Sequence, residues 1–238
     1  ALIEWGRISA QLSKLGLLTD IDMAALALYC QAWGRIVKYE KIVGEKGELY
    51  KTQNGNIQLS PAMWVVNKAY EQVYKFLSDN PIEMDSIERY VNWSEKFYTR
   101  NLIYKDERFE LMAICWEKGQ VSKIHNHSEQ MCWMTVPFGK LRGQNFKVIE
   151  QIESQGYCKL EKTDRFDLND CLAAKVELEE PIHQILNLAE FDERAVSVHI
   201  YSKPFDTCLS YCNETDRYSE VKLNYTSIDG KLCSDVVL

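Results

Sequence analysis

Residues 124–139 read IHNHSEQMCWMTVPFG, and this stretch is the most informative part of the sequence for the fold. Its two histidines, His125 and His127, are separated by one residue. On a β-strand both imidazoles would project from the same face and could share a metal ion. Histidines are more often surface residues or hydrogen-bonded core residues, so the HxH pair alone leaves both interpretations open. The surrounding residues must decide between them.

The other two histidines of the chain, His183 and His199, lie downstream. His183 could complete a set of three ligands from another strand. Ser197, His199 and Tyr201 alternate with apolar residues, so they share one face of a predicted strand. A polar face of this kind suits a hydrogen-bonding wall beside a metal or, alternatively, a polar stripe on the surface.

Short apolar segments at close spacing predict a mainly β fold after residue 108, and they are typical of an antiparallel sandwich or barrel. One of them is a near-continuous apolar run, expected of a strand covered on both faces. The predicted strands are Phe109–Trp116, Ile124–Val136, Gly143–Val148, Lys175–Leu178 and Ala195–Tyr201.

The region before these strands is predicted to be helical. A first periodic pattern should end at Gly44 and Gly47, and Asn54-Gly55 indicates a tight turn. A second helix should begin at Ser60-Pro61, because proline is favoured in the first turn, and run to about Leu77. A short third helix is predicted from Ile82 to about Lys96.

Charge and composition divide the chain and exclude several classes of protein. The 238 residues are 46% hydrophobic, which suits a folded globular chain. The net charge of −7 argues against broad nucleic-acid binding. Residues 1–78 carry +2 and residues 79–238 carry −9, so we predict two units with a boundary there.

The distribution of apolar residues and cysteines predicts a cytoplasmic protein. The chain begins without a basic segment leading into an apolar stretch, and it contains no run of about 18 apolar residues. We therefore expect no membrane partner. The eight cysteines are scattered without CxxC pairs, which favours free thiols in a reducing compartment.

Two spacings resemble the motifs of the cupin barrel. His127, Cys132 and Gly139 fit HxH(x4)C(x6)G, and His183 with Asn187 fits H(x3)N. Cupins usually carry a glutamate ligand where Cys132 stands. The resemblance therefore implies three neutral imidazoles without a carboxylate, a set that would leave Fe(II) its full charge and favour a thiolate substrate.

A series of segments in the right order resembles the cysteine dioxygenases from about residue 79 to about residue 230. The resemblance implies a cupin-type β-barrel (jelly roll) preceded by an N-terminal α-helical segment. It also implies a non-haem Fe(II) enzyme that oxidises L-cysteine with O2 to cysteine sulfinic acid. The segments are Tyr98–Leu102, Ile124–His127, Cys132, Gly139, His183–Asn187 and Ser197–Cys208.

The resemblance also assigns a ligand set and a substrate-binding set. His125, His127 and His183 match the iron ligands. Arg100 matches the residue that binds the substrate carboxylate, a task for which a planar guanidinium is suited. Tyr98 matches a neighbouring pocket residue, and Cys208 matches a cysteine near the pocket entrance.

Four further residues are assigned beside the iron. Cys132 and Tyr201 match the pair that is joined by a thioether in family members carrying both. Ser197 and His199 match the pair that orients the tyrosine hydroxyl. Without the thioether, Cys132 would be an inert buried thiol.

Some positions separate this sequence from its relatives. Mercaptopropionate dioxygenases resemble this family but typically carry Gln where Arg100 stands. Having both Arg100 and Cys132 favours cysteine as the substrate, and 3-mercaptopropionate and cysteamine stay as alternatives. Asn126 stands where Asp is frequent, a change expected to be mild. Glu179-Glu180-Pro181-Ile182 replaces the usual turn before His183 and could alter the approach of that ligand.

Residues 1–78 are similar to small subunits of phage terminases of the P27 type, which are DNA-packaging components. The similar segments include Leu15–Thr19, Ala27–Arg35 and Gln58–Pro61. One hypothesis is a DNA-binding or packaging assembly protein, with nucleic acid bound through this segment. The other, which we favour, is a helical appendage that packs or oligomerises. The oligomeric state is left open.

Overall fold

The structure is a computed structural model that describes residues 35, 38–39, 41–43, 45–52, 57–107, 109–128, 130–169, 173–175 and 182–234. The chain divides into two compact units, with the division between Asn80 and Pro81. The predicted boundary, between residues 78 and 79, lies close to this division.

Strands dominate the described residues, and we number all elements in chain order. The helices are α1 (Pro61–Asp79) and α2 (Met84–Ile87), with 3-10 turns at Glu88–Tyr90, Glu153–Gln155 and Ala189–Phe191. The strands are β1 (Leu49–Lys51), β2 (Ile57–Leu59), β3 (Thr99–Lys105), β4 (Glu110–Trp116), β5 (Ile124–His125), β6 (Cys132–Phe138), β7 (Leu141–Ile152), β8 (Tyr157–Leu168), β9 (Ala173–Lys175), β10 (Ile182–Leu186), β11 (Ala195–Tyr201), β12 (Thr207–Cys212), β13 (Arg217–Lys222), β14 (Ser227–Ile228) and β15 (Lys231–Leu232).

Helix α1 begins where the sequence predicts. The Ser60 hydroxyl accepts the backbone N–H of Met63 at 3.1 Å, and Pro61 occupies the first turn, where no intrahelical partner for its nitrogen is lost. The face predicted to be buried is buried, and it comprises Val66, Tyr70, Val73 and Leu77.

The remaining helix predictions have mixed outcomes. Residues 38–39, 41–43 and 45–46 are helical, and Gly47 follows with a φ of 85°. The earlier part of that helix and the Asn54-Gly55 turn lie outside the described residues, although β1 and β2 on either side of the turn pair antiparallel.

The helix predicted from Ile82 to about Lys96 is wrong, because only α2 and one 3-10 turn form there. Beyond them, Asn92 donates from its side chain to Asn101 and Ser227, both at 3.1 Å. Short polar side chains that hydrogen-bond elsewhere compete with a helix.

Two sheets make up the second unit, and the prediction of a mainly β barrel is confirmed. One sheet closes into a barrel in the order β10-β5-β12-β13-β8-β7. The other is open, in the order β15-β14-β3-β4-β11-β6-β9. The central core takes residues from both sheets: Met112, Ile114, Trp116, Cys132, Met134, Val136, Leu141, Leu168, Ile185, Ala195 and Tyr201.

The strand predicted over Ile124–Val136 is wrong as a single element. β5 ends at His125, and β6 begins only at Cys132. Between them the chain turns, with Ser128 at a φ of 50° and the backbone N–H of Gln130 donating to the carbonyl of His127 at 2.9 Å. The turn carries the chain from the closed sheet to the open one.

Gly139, between β6 and β7, has a φ of 74°, and a Cβ there would lie 2.1 Å from the carbonyl oxygen of Arg194. We expect Gly139→Ala to lower the free energy of unfolding by about 3 kcal/mol, because the backbone must move as well as adopt a strained φ. Gly119→Ala is the matched control. Its φ of 85° is similar but nothing lies within 4 Å, so it should cost only about 1 kcal/mol. Denaturant unfolding measures both, and equal losses would contradict the steric argument.

Candidate active site

Three histidines from different parts of the chain meet at one point. His125 ends β5 and pairs directly with His183 on β10. His127 lies in the turn after β5 rather than on the strand, so the prediction that the HxH pair projects from one strand face is wrong. The turn nevertheless brings its ring to the other two, and ligand atoms of all three lie within 4.8 Å of one another. This group could hold a metal ion.

The three imidazoles are electrically neutral at neutral pH. Burial lowers the pKa of His125 to about 4, with the nearby positive charge of Arg100 acting in the same direction. Burial also holds the pKa values of His127 and His183 well below their usual range, and the neighbouring imidazoles lower them further. A neutral imidazole keeps the lone pair that a metal requires.

The hydrogen bonds of these rings also fit a metal site. Nδ1 of His125 lies 2.8 Å from the carbonyl oxygen of Lys123 and donates to it, which leaves Nε2 free as a ligand. Nδ1 of His127 is buried and has no hydrogen-bond partner among the described residues. A hydrogen-bonded core histidine would not leave a ring nitrogen unsatisfied, so the residues present fit a bound ion.

A chain of hydrogen bonds runs along the inner face of β11. The indole N–H of Trp116 donates to the Ser197 hydroxyl at 2.9 Å, and that hydroxyl lies 2.9 Å from Nε2 of His199. Nδ1 of His199 lies 3.4 Å from the hydroxyl of Tyr201. Ser197, His199 and Tyr201 are all buried, so a surface stripe is excluded.

One end of this chain has a fixed direction. An indole nitrogen can only donate, so the Ser197 oxygen accepts from Trp116 and its own proton is free to go to Nε2 of His199. Burial lowers the pKa of His199 to about 3, so the ring is neutral and carries a single proton. Nδ1 of His199 lies within reach of two groups, the Tyr201 hydroxyl at 3.4 Å and the Cys132 sulfur at 3.8 Å.

Cys132 and Tyr201 face each other across adjacent strands. They are direct partners in the pairing of β6 with β11. Burial raises the pKa of the Cys132 thiol above its usual value, and the nearby Tyr201 hydroxyl lowers it by less. Burial also raises the pKa of Tyr201 well above its usual range. Both groups are thus uncharged and lie next to each other in the core.

One pocket is lined by two of the three histidines, His125 and His127, and by the predicted substrate-binding residues. Arg100 is held through its backbone, which donates to the Thr226 hydroxyl at 3.0 Å and accepts from the Thr226 N–H at 2.7 Å. The Tyr98 ring stacks on Trp116 with centroids 4.6 Å apart. The residues lining the pocket are Tyr98, Arg100, Lys123, His125, His127, Tyr201, Phe205, Cys208, Ser210, Val221 and Leu223.

Sequence reasoning missed several residues of this site, and two of them, Trp116 and Phe205, support the predicted ones. Trp116 supports both Ser197 and Tyr98, but in the sequence it only ends an apolar run. The Phe205 ring packs against the rings of Tyr201 and His127, with its centroid 5.1 Å and 6.0 Å from theirs. Phe205 lies inside the segment Ser197–Cys208, which resembles the cysteine dioxygenases, and that resemblance was the sequence signal that could have identified it.

Two asparagines brace the segments that carry the histidines. Asn187 donates from its side chain to the carbonyls of Trp116, Glu117 and Glu193 at 3.0 to 3.2 Å. The side-chain oxygen of Asn126 accepts the backbone N–H of Leu209 on β12 at 2.9 Å. Glu179, Glu180 and Pro181 lie outside the described residues, so their effect on His183 stays a prediction.

This architecture defines the class as a mainly β, two-sheet barrel protein with a three-histidine group that could bind a metal. The family model of cysteine dioxygenase type I matches residues 66–214, more than half of the chain, and the chain belongs to that family. The match begins earlier than the predicted residue 79, inside α1.

Individual relatives agree with this assignment. The chain is 28% identical over 149 residues to cysteine dioxygenase type 1 of Danio rerio, covering 60% of this chain and 70% of that protein. It is 31% identical over 143 residues to cysteine dioxygenase type 1 of Homo sapiens, covering 58% of this chain and 67% of that protein.

Solved structures with similar folds have low similarity scores. A cupin superfamily protein from Desulfitobacterium hafniense aligns with a TM-score of 0.36 and 12% identity, covering 53% of this chain and 93% of that one. A protein with a double-stranded β-helix domain from Klebsiella pneumoniae aligns with a TM-score of 0.33 and 15% identity, covering 49% and 81%.

The beginning of the chain matches a second family. The model of the phage terminase small subunit matches residues 1–80, so the two matches overlap within α1. In the part of the chain that the structure describes, no helix combines the length and apolar character needed to cross a membrane.

Proposed function

We propose that the chain is a non-haem Fe(II) thiol dioxygenase that oxidises L-cysteine with O2 to cysteine sulfinic acid. The observation that carries this proposal is one pocket lined by Arg100 and by two of the three clustered histidines. A small thiol with a carboxylate can place its carboxylate on Arg100 and its sulfur toward the histidines. Both oxygen atoms of one O2 pass to the sulfur, so the reaction balances without another co-reactant.

His125, His127 and His183 would hold the iron. Bound Fe(II) would supply the chemistry with O2 that side chains lack, and its charge would favour a thiolate over a thiol. Three neutral imidazoles also suit zinc. The choice of iron rests on the family, whose chemistry requires a redox metal.

The chain's own residues would bind and orient the substrate. Arg100 offers a planar fork for the carboxylate. Tyr98 and Phe205 line the same pocket and would reduce access of water to it. Tyr201, whose hydroxyl lies 3.4 Å from Nδ1 of His199, would hydrogen-bond the bound substrate. These residues would hold the reacting groups in one geometry.

Metal analysis combined with O2 uptake tests the proposal. We expect iron in the purified protein and one O2 consumed for each L-cysteine converted to sulfinic acid. 3-Mercaptopropionate and cysteamine, assayed in parallel, identify another thiol as the substrate if either is clearly preferred. The proposal would be overturned if the protein held no iron after reconstitution or consumed no O2 with any of the three thiols.

We expect Cys132 and Tyr201 to become joined by a thioether, since they are buried and are direct cross-strand partners. A C–S bond would form at the ring carbon beside the hydroxyl as the S–H and C–H bonds break. The two electrons and two protons released would reduce O2 to hydrogen peroxide. Peptide mass spectrometry after aerobic turnover should show the linked pair lighter by two hydrogen atoms.

Two variants control this measurement. Cys132→Ser should abolish the linked peptide, whereas Cys208→Ser, which removes another pocket cysteine, should retain it. A fully iron-loaded protein that turns over yet keeps only unlinked peptides would count against the cross-link.

A second candidate function concerns the beginning of the chain. The terminase small subunit match over residues 1–80 supports a role in DNA binding or packaging assembly. A gel-shift of the full chain with duplex DNA at low salt tests it, because phosphate contacts are strongest there. Absence of a shift under those conditions would remove this candidate.

A further inference from the structure

We propose that Glu110 is the internal counter-charge of Arg100 and so sets how strongly the pocket binds a carboxylate-bearing substrate. This inference rests on the proposed function, in which Arg100 receives that carboxylate. Glu110 does not line the pocket, so we regard it as a residue that acts through Arg100.

The strand register places both side chains on the same side of the open sheet. Glu110 begins β4, where it pairs with Lys105 on β3 and with Tyr201 on β11. Residues two apart share a face, so Glu110 lies on the same face as Ile114, which belongs to the central core. Arg100 is the cross-strand partner of Ile114 and therefore shares that face.

Glu110 is 1% exposed, and among the described residues it is the only acidic side chain that is buried. A buried carboxylate is costly unless charges or hydrogen bonds compensate it. The Tyr225 hydroxyl, near its carboxyl, lowers the pKa of Glu110. Lys105 Nζ donates to the Tyr225 oxygen and to the Asp206 carboxylate, both at 2.9 Å. These bonds hold Lys105, which is the register partner of Glu110 on the neighbouring strand.

Each of the two central side chains keeps one buried atom without a partner. These atoms are Oε1 of Glu110, an acceptor, and Nε of Arg100, a donor. Among the described residues no ion pair joins Arg100 to Glu110, and the charge of Arg100 acts on the Glu110 carboxyl at a distance. Burial raises the pKa of the Glu110 carboxyl, whereas Arg100 and Lys105 lower it.

A substrate carboxylate would compete with Glu110 for the positive charge of Arg100. Glu110 thus compensates the arginine in the free protein and moderates its attraction for anions once substrate arrives. Removing the Glu110 charge should strengthen binding of thiols that carry a carboxylate. It should give no such gain to cysteamine, which has no carboxylate.

Glu110→Gln tests this with almost no change in shape. We expect the KM for L-cysteine to fall by roughly three- to tenfold with kcat little changed, because a unit charge within the core is removed. The KM for cysteamine should not fall. Asp206→Asn is the matched control, since it removes a carboxylate from the same network at a side chain that is 75% exposed, and it should leave both KM values unchanged.

A second variant predicts the opposite sign. Lys105→Met removes the positive charge of the residue that is the register partner of Glu110, so the KM for L-cysteine should rise. This variant keeps the inference testable if Glu110→Gln fails to fold. An unchanged or lowered KM in Lys105→Met would count against the inference.

Two measurements without turnover separate this inference from the proposed function. Anaerobic calorimetric titration of the iron-loaded protein with L-cysteine should give tighter binding in Glu110→Gln than in the unaltered chain. In thermal unfolding, the Tm shift of the Arg100→Gln/Glu110→Gln double variant should differ from the sum of the shifts of the two single variants. Equal affinities with additive Tm shifts would overturn the role of Glu110. Failure of the unaltered chain to bind any carboxylate thiol would instead overturn the proposed function, while the unfolding cycle would still test the Arg100–Glu110 coupling.

Discussion

Replacing His125 by alanine should abolish both metal retention and thiol oxidation. The ring ends β5 directly opposite His183, and its Nδ1 already donates to the Lys123 carbonyl, so Nε2 is the atom lost to a metal. Losing a hydrogen-bond partner of a metal ligand typically lowers metal affinity or activity roughly 10–100-fold. We therefore expect the loss of the ligand itself to lower activity by about a thousandfold or more. Metal content by mass spectrometry and O2 uptake with L-cysteine measure the two effects.

His199→Ala is the control that separates a ligand from a neighbouring histidine. His199 is buried like His127 and His183, but its two ring nitrogens lie at hydrogen-bond distance from Ser197 and Tyr201. We expect this variant to keep its iron while losing activity. His125 is only half-buried, so His125→Ala should cost less stability than truncating His127. Iron retained at the normal level in His125→Ala would contradict the three-histidine assignment.

Replacing Arg100 by glutamine should weaken turnover of L-cysteine selectively. A bidentate, charge-assisted hydrogen bond to a carboxylate contributes about 2–3 kcal/mol, so kcat/KM for L-cysteine should fall by roughly 30- to 200-fold. Cysteamine has no carboxylate, and its kcat/KM should change far less. Steady-state O2 uptake with both thiols measures the ratio.

Arg194→Gln is the matched control for the loss of an arginine. Its guanidinium pairs with Glu117 at 2.8 Å and lies over the Trp93 ring, and it does not line the pocket. This change should leave the ratio of the kcat/KM values for L-cysteine and cysteamine unchanged. Unchanged cysteine kinetics in Arg100→Gln would refute the carboxylate assignment. Equal losses with both thiols would indicate that the substitution disturbs the pocket in general.

In the proposed function, Arg100 would supply the attraction for a carboxylate, and the buried Glu110 would limit it. The two substitutions should therefore move the KM for L-cysteine in opposite directions. That opposition distinguishes a charge effect from a loss of packing, which would weaken binding in both variants.

Local patterns in the sequence determined several parts of this protein. The Ser60-Pro61 start of α1, the strand Ala195–Tyr201 and the mainly β class all follow from side-chain chemistry within a few residues. The spacings around Cys132, Gly139 and Asn187 were also readable in advance. Capping, strand alternation and the need for glycine at positive φ act over short distances along the chain, so the sequence carries them directly.

Only the tertiary structure decided which of these residues meet. The break between β5 and β6 takes His127 off the strand, and the pairing of β10 with β5 brings His183 to His125. The support of Ser197 by Trp116 and the burial of Glu110 on the face of Arg100 also depend on strand register. Pairing between distant strands is set by packing of the whole core, and no periodicity within one segment encodes its partner.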